Sequence, residues 1–240
     1  MEIRVHEIGN YMLRNYLLET ETGWIAIDTG YPGGCDKFVS SFEKLAPLAE
    51  LKYIFLTHVH DDHAGFLSDL MDRCDARLVL HPAGLPVLKA GENLVKEGAG
   101  YSSRLASLFG VFKKDFRFPG FNPGKQALYI QNEEDQLFER LGLPVRIVFL
   151  PGHTADSMGL LMTETGDLFC GDAAMNAVIS VARHTIWIDS KREFQLSWDK
   201  MLGLNPKRII PAHGNPFPPR DLRKYRHYLD DRELVPMHIK

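Results

Sequence analysis

The chain has 240 residues, 45% of them apolar and 25% charged, with a formal net charge of −3. That is the balance of an ordinary globular protein, long enough for one large domain or two small ones. The acidic balance argues against a dedicated nucleic-acid surface, and no apolar run approaches the roughly 20 residues of a membrane span. Cys35, Cys74 and Cys170 are odd in number and lack CxxC spacing, which argues against a disulfide framework or a thiolate zinc site. A reducing cytoplasm fits such usage, and Met1–His6 has no signal-type apolar region.

In chain order, residues 1–30 read as β-hairpins, with Tyr16-Leu17-Leu18-Glu19 and Gly23-Trp24-Ile25-Ala26-Ile27 flanking polar turn residues. Phe38, Phe42 and Leu45 at helical spacing predict a helix over 36–45. A strand follows at 51–57, a helix from His63 to about Asp72, and a short strand at 78–80 stopped by Pro82. Residues 82–125 form a helical, then glycine-rich and aromatic, insertion. Strand and turn signals return over 127–149, with strands near 158–163 and 167–171. A helix near 193–203, a strand at 208–211 and a helix near 219–230 complete the chain. Each half is therefore β-rich, α, β, α, with the halves meeting around 120–145. The order suggests two βα layers, sheet against sheet with helices outside, in one domain over 1–240.

Five apolar runs each end in an aspartate or histidine: Asp28, His58, His153, Asp172 and His213. Strands deliver terminal residues to a common edge, where ligand sites of open α/β sheets gather. The second run continues as His58-Val59-His60-Asp61-Asp62-His63, which places the potential metal ligands His58, His60, Asp62 and His63 together. Neutral imidazole and carboxylate suit divalent ions, zinc first, with iron or manganese as alternatives. In an extended segment His58 and His60 point the same way and can chelate one ion, which His153 would complete. Asp62 and His63 can reach a second ion, completed by His213, with Asp172 as a bridging carboxylate. Two ions about 3.5–4 Å apart can share a hydroxide and clamp an oxyanion. A single strand-end histidine is more often a turn residue; clustered spacing of this kind favours ligands. His6, His81, His184, His227 and His238 have no such setting and read as surface or capping histidines, with His184 the nearest to an exception.

On these motifs the chain resembles the metallo-β-lactamase superfamily. The residues that carry the resemblance are Asp28-Thr29-Gly30, Thr57-His58-Val59-His60-Asp61-Asp62-His63, Pro151-Gly152-His153-Thr154, Gly171-Asp172 and Pro211-Ala212-His213-Gly214. The resemblance implies an α+β fold, a four-layer αββα sandwich of two mixed sheets. It implies that His58, His60 and His153 hold one metal, that Asp62, His63 and His213 hold the other, and that Asp172 bridges. Asp28 would stand behind the ligands, orienting a ligand histidine or its loop.

Asp172 is typical of the glyoxalase II and lactonase-like branches, and Ala155-Asp156-Ser157-Met158-Gly159-Leu160-Leu161 resembles small bacterial lactonase-like hydrolases. Two departures stand against a narrower assignment. Ala173-Ala174-Met175-Asn176 lacks the tyrosine usual in N-acyl-homoserine lactonases, and residues 214–240 are shorter than the helical extension of glyoxalase II.

The expected activity is hydrolysis of an ester, lactone or thioester by a metal-bridging hydroxide, with Asp62 and Asp172 as the catalytic carboxylates. A metal-bound water, Tyr225 or His184 are the candidate proton donors to the leaving group. Phe109, Phe112, Met175, His184 and Tyr225 are expected to line the substrate pocket, and Leu105, Leu108, Val111, Phe116, Phe118 and Phe121 to pack on the sheet or form a lid or dimer contact. Arg220, Arg223, Lys224 and Arg226 read as a solvated helix face. The expected partner is a small molecule, with no nucleic acid and no membrane, and a homodimer is reasonable. Competing readings are a phosphodiesterase, a mononuclear-iron persulfide dioxygenase and a metal-stabilised binding module.

Overall fold

The computed structural model describes residues 3–112 and 115–236. In chain order its elements are β1 (Arg4–Glu7), β2 (Tyr16–Thr20), β3 (Gly23–Ile27), α1 (Cys35–Phe42), β4 (Leu51–Phe55), α2 (Leu67–Met71), β5 (Arg77–Leu80) and α3 (Leu85–Ala90). There follow β6 (Gly100–Tyr101), α4 (Arg104–Phe112), β7 (Ala127–Tyr129), α5 (Leu137–Arg140), β8 (Val145–Phe149) and β9 (Met158–Met162). The last are β10 (Asp167–Gly171), β11 (Trp187–Ile188), α6 (Lys191–Gly203), β12 (Arg208–Pro211) and α7 (Pro219–Tyr225). The chain forms two compact units, Met1–Asn93 with Phe116–Pro144, and Leu94–Asp115 with Val145–Lys240.

The first unit is a mixed six-stranded sheet in the order β1-β2-β3-β4-β5-β7. The first three strands are an antiparallel meander, and β3, β4, β5 and β7 run parallel. Side chains alternate across a strand, so Leu17, Ala26, Ile54 and Leu78 share a core with Phe38 and Phe42 of α1, Leu67 and Leu70 of α2 and Leu88 of α3. Their neighbours Leu18, Ile25, Phe55 and Val79 are buried on the other face. Each such side chain contributes about 1.5–3 kcal/mol by leaving water.

The helix expected from His63 begins only at Leu67. A helix would pair the His63 carbonyl with the Leu67 N–H, but that carbonyl accepts from the N–H of Thr29 at 2.7 Å and its hydroxyl at 2.8 Å. Leu67 turns to Ala64 instead. Gly65 lies at the crowded centre of this turn, where a Cβ would sit 2.1 Å from the Asp61 carbonyl oxygen.

The second unit holds a mixed sheet in the order β12-β10-β9-β8 and a strand pair, β11-β6. β9 is antiparallel to both β8 and β10, and β12 is parallel to β10, so β8, β10 and β12 all run one way. Arg208 at the start of β12 pairs through two nitrogens, at 2.7 and 2.6 Å, with its register partner Asp167 on β10. Helix α6 is capped by Ser190, whose hydroxyl accepts from the Glu193 N–H. Its buried stripe of Phe194, Trp198 and Met201 joins Val148, Leu168, Cys170 and Ile209 of the sheet, with Leu222 of α7.

The expected insertion at 82–125 is divided: α3 and Phe116–Phe121 belong to the first unit, and β6 and α4 to the second. Phe118 is buried against the first unit's core and Phe121 packs on it, because their N–H groups pair with the carbonyls of Gly91 and Leu88. The last expected helix, 219–230, ends at Tyr225. Among the described residues no helix is long and apolar enough to cross a membrane.

Candidate metal centre

In the first unit, parallel strands β3 and β4 end side by side, bringing Asp28 beside the His58–His63 segment. That segment is a loop and not the extended run expected, since β4 stops at Phe55. Val59 is buried in the core, and the loop folds the histidines together around it. The rings of His58 and His60 are 4.8 Å apart between centroids, and those of His58 and His63 are 3.9 Å apart. Possible ligand atoms of His58 and His60, of His58 and His63, and of Asp62 and His63 lie within 4.8 Å of each other.

Asp28 organises this loop. It is 3% exposed and adopts a left-handed backbone, φ 59°, which is uncommon for a non-glycine residue but tolerated by aspartate. One carboxylate oxygen accepts from the Thr57 N–H at 2.6 Å. The other accepts from the Thr57 hydroxyl at 2.7 Å and from Nδ1 of His63 at 2.9 Å. With its hydrogen committed to Asp28, the Thr57 oxygen can accept from Nδ1 of His58 at 3.1 Å. Both imidazoles are thereby held in the tautomer that leaves the Nε2 lone pair for a metal. Asp62 stands at the edge: one oxygen is 3.9 Å from Nε2 of His63, and the other accepts from the Tyr31 hydroxyl at 3.4 Å. The neighbouring Asp61 is clasped by Asn93, N–H to Oδ1 and Nδ2 to Oδ1, each at 2.9 Å.

In the second unit the co-directional strands β8, β10 and β12 bring His153, Asp172 and His213 to one edge. Asp172 lies between the two histidines. Its Oδ2 is 3.8 Å from Nε2 of His153, and its Oδ1 is 3.5 Å from Nε2 of His213. Nδ1 of His153 donates to the Trp187 carbonyl at 2.7 Å, which again leaves Nε2 for a metal. The Thr185 hydroxyl donates to Asp172 Oδ2 at 3.5 Å. The His213 loop is tied down by the Asn176 N–H, which donates to the His213 carbonyl at 3.0 Å, and Arg183 donates to both Asn176 and Asp221.

In both units, then, imidazole and carboxylate groups converge, with the tautomers of His58, His63 and His153 set for coordination, a donor set that fits zinc, iron or manganese. Thr57, Thr185, Trp187 and Asn93 were not expected in these roles.

Three of the expected pocket residues, His184, Met175 and Tyr225, have described side chains. His184 is buried, stacked on Trp198 with ring centroids 4.4 Å apart and near Phe194 and Tyr228. Its Nδ1 donates to the Val181 carbonyl at 3.1 Å, and burial holds its pKa down at about 4. It is an aromatic packing residue of the second core, which corrects its reading as a pocket or surface histidine. Met175 is also buried, and Tyr225 packs partly buried on the same core. Phe109 and Phe112 fall on α4, and their side chains lie outside those described. Of the other histidines, His81 accepts from the Ala83 N–H, His6 pairs with Glu19 and His227 with Asp230; His238 lies outside the described residues.

Residues 14–213 match the Metallo-beta-lactamase superfamily. The metallo-beta-lactamase fold-containing protein ST1585 of Sulfurisphaera tokodaii is 26% identical over 232 residues, 93% of this chain and 81% of that protein. A beta-lactamase-like protein 2 homolog of Caenorhabditis elegans is 24% identical over 232 residues, 95% of this chain; the chain spans 65% of its length, less than two thirds. The crystal structure of ST1585 superposes with a TM-score of 0.66 at 21% identity, covering 98% of this chain and 90% of that one. That of TTHA1623 in a di-iron-bound form gives 0.63 at 22% identity, covering 92% and 97%. The strand-end donors sit inside the matched span, and the chain belongs to the metallo-beta-lactamase superfamily and has its fold.

Proposed function

We propose that the protein is a dinuclear metal-dependent hydrolase of esters, lactones or thioesters, on the glyoxalase II and lactonase side of its superfamily. In this reading His58, His60 and His153 hold one ion, Asp62, His63 and His213 hold the other, and Asp172 is shared. The observation that carries it is the placement of Asp172, whose two oxygens each face a different histidine. A carboxylate so placed can serve two ions at once. Zinc is the favoured metal; iron is the alternative, since TTHA1623 was solved in a di-iron-bound form.

When bound, the ions supply a hydroxide nucleophile at neutral pH and neutralise the charge that develops on the substrate carbonyl. The chain's own groups set the stage. Asp28 and Thr57 hold His58 and His63 in one tautomer. Trp187 does the same for His153, and Thr185 fixes Asp172. Asp62, which accepts from the Tyr31 hydroxyl, would help hold an ion and could accept a hydrogen bond from a water there. The substrate is a small molecule.

The test is a proton-release assay on zinc-loaded protein against lactones, thioesters, simple esters and a phosphodiester, with His58→Ala as control. Metal-dependent turnover of the carbonyl substrates is expected. Turnover of the phosphodiester alone would replace this reading with phosphodiester hydrolysis.

A further inference from the structure

The orientation of His153 depends on a series of contacts that ends at the surface. Nδ1 of His153 donates to the Trp187 carbonyl at 2.7 Å. The Trp187 indole N–H donates to Asp189 Oδ1 at 2.9 Å. Asp189 Oδ2 lies 3.3 Å from the ammonium of Lys96. The Asp189 N–H also reaches the carbonyls of Gly152 at 2.8 Å and His153 at 3.2 Å. The Asp189 side chain is 6% exposed and that of Lys96 is 49% exposed. Lys96 precedes β6, which pairs with β11 through Tyr101↔Trp187 and Gly100↔Ile188. The rings of Tyr101 and Trp187 meet edge to face at 5.1 Å.

We propose that Lys96 is a positioning residue for His153, acting through Asp189 and Trp187, and that it sets the affinity of the ion His153 holds. The proposal rests on the metal reading above. The Lys96 ammonium holds one oxygen of Asp189, which keeps the other oxygen on the indole N–H, and the anchored indole fixes where the Trp187 carbonyl points. That carbonyl fixes the His153 ring and its tautomer. Partners behind a metal-bound imidazole commonly change metal affinity by about 10–100-fold when removed.

The experiment compares wild type with Lys96→Met, Lys96→Arg and Trp187→Phe. Zinc affinity is measured by competition with a chelator, and the environment of the ions by the absorption spectrum of cobalt-substituted protein. Lys96→Met should weaken one of two ions by about 10-fold or more and shift the cobalt spectrum, and Lys96→Arg should restore both. Trp187→Phe, which removes the indole N–H, should weaken the same ion. The thermal midpoint of metal-free Lys96→Met should fall, because Asp189 is then buried without its ion pair, and Lys96→Arg should restore it. Two ions bound with wild-type affinity and spectrum in Lys96→Met would overturn this proposal alone. Wild-type protein that takes up no ion would overturn the metal reading and this proposal together.

Discussion

Oδ2 of Asp28 lies 2.9 Å from Nδ1 of His63, a residue 35 positions further along the chain. The contact joins the end of β3 to the loop after β4. Because the same carboxylate also receives both donors of Thr57, one buried side chain sets the loop's path and a ligand histidine's tautomer together. Asp28→Ala should therefore lower metal affinity by about 10–100-fold. Asp28→Asn, which tolerates the left-handed backbone but turns an amide donor toward donors, should do nearly as much. Metal content after dialysis against a weak chelator checks both; wild-type content in each variant would refute the role.

Of the three histidines of the first loop, His60 lies only partly buried while His58 and His63 are buried. His60→Ala should lose metal and hydrolysis in parallel, with little change in the far-ultraviolet circular dichroism of the metal-free protein. Full activity at normal metal content would remove His60 from the centre.

Gly152 has φ 132°, and a Cβ there would sit 2.2 Å from the N of Phe194 and 2.3 Å from its Cα. Those are backbone atoms at the start of α6 and cannot step aside. Gly152→Ala should destabilise the protein by about 3 kcal/mol or more through steric overlap and backbone strain, read as a lower urea midpoint. An unchanged midpoint would show that the His153 loop can move away from α6.

The depressed pKa of His184, about 4 against about 6.5 in an unfolded chain, gives a signed pH dependence. Between these values the unfolded state binds the proton and the folded state does not, so stability rises with pH there and is lost as pH falls. Above pH 7 the residue contributes no slope. The full effect is on the order of 3 kcal/mol by pH 4. Urea midpoints of metal-free protein from pH 7 to 4 should fall less steeply in His184→Phe than in wild type. Parallel curves would mean that His184 titrates normally.

The strands were legible because Leu17, Ala26, Ile54 and Leu78 alternate with apolar partners on the opposite face, and sheets are covered on both faces only by such runs. The strand-end aspartates and histidines were legible as chemistry, since few other reasons place that many polar groups at the ends of apolar runs. The groups behind them were not. Trp187 acts through its backbone carbonyl, which every residue possesses, and Asn93 reaches Asp61 across 32 positions with no local pattern. The late start of α2 was hidden because the competitor for the His63 carbonyl, Thr29, lies far back in sequence. His184 misled because a histidine satisfied by one carbonyl and a stacked tryptophan has the same one-letter code as a histidine in a pocket.

The chain changes units after Asn93, after Asp115 and after Pro144. Neither unit is a continuous piece of gene, so the protein cannot be halved by cutting once. During synthesis, a nascent chain that ends at Asn93 has made β5 but not its neighbour β7. The edge of the first sheet, with Leu78, Val79 and Leu80, then stands open to pairing with other chains. Only when residues 127–129 emerge is that edge covered, so it is open to other chains from the completion of β5 at Leu80 until then.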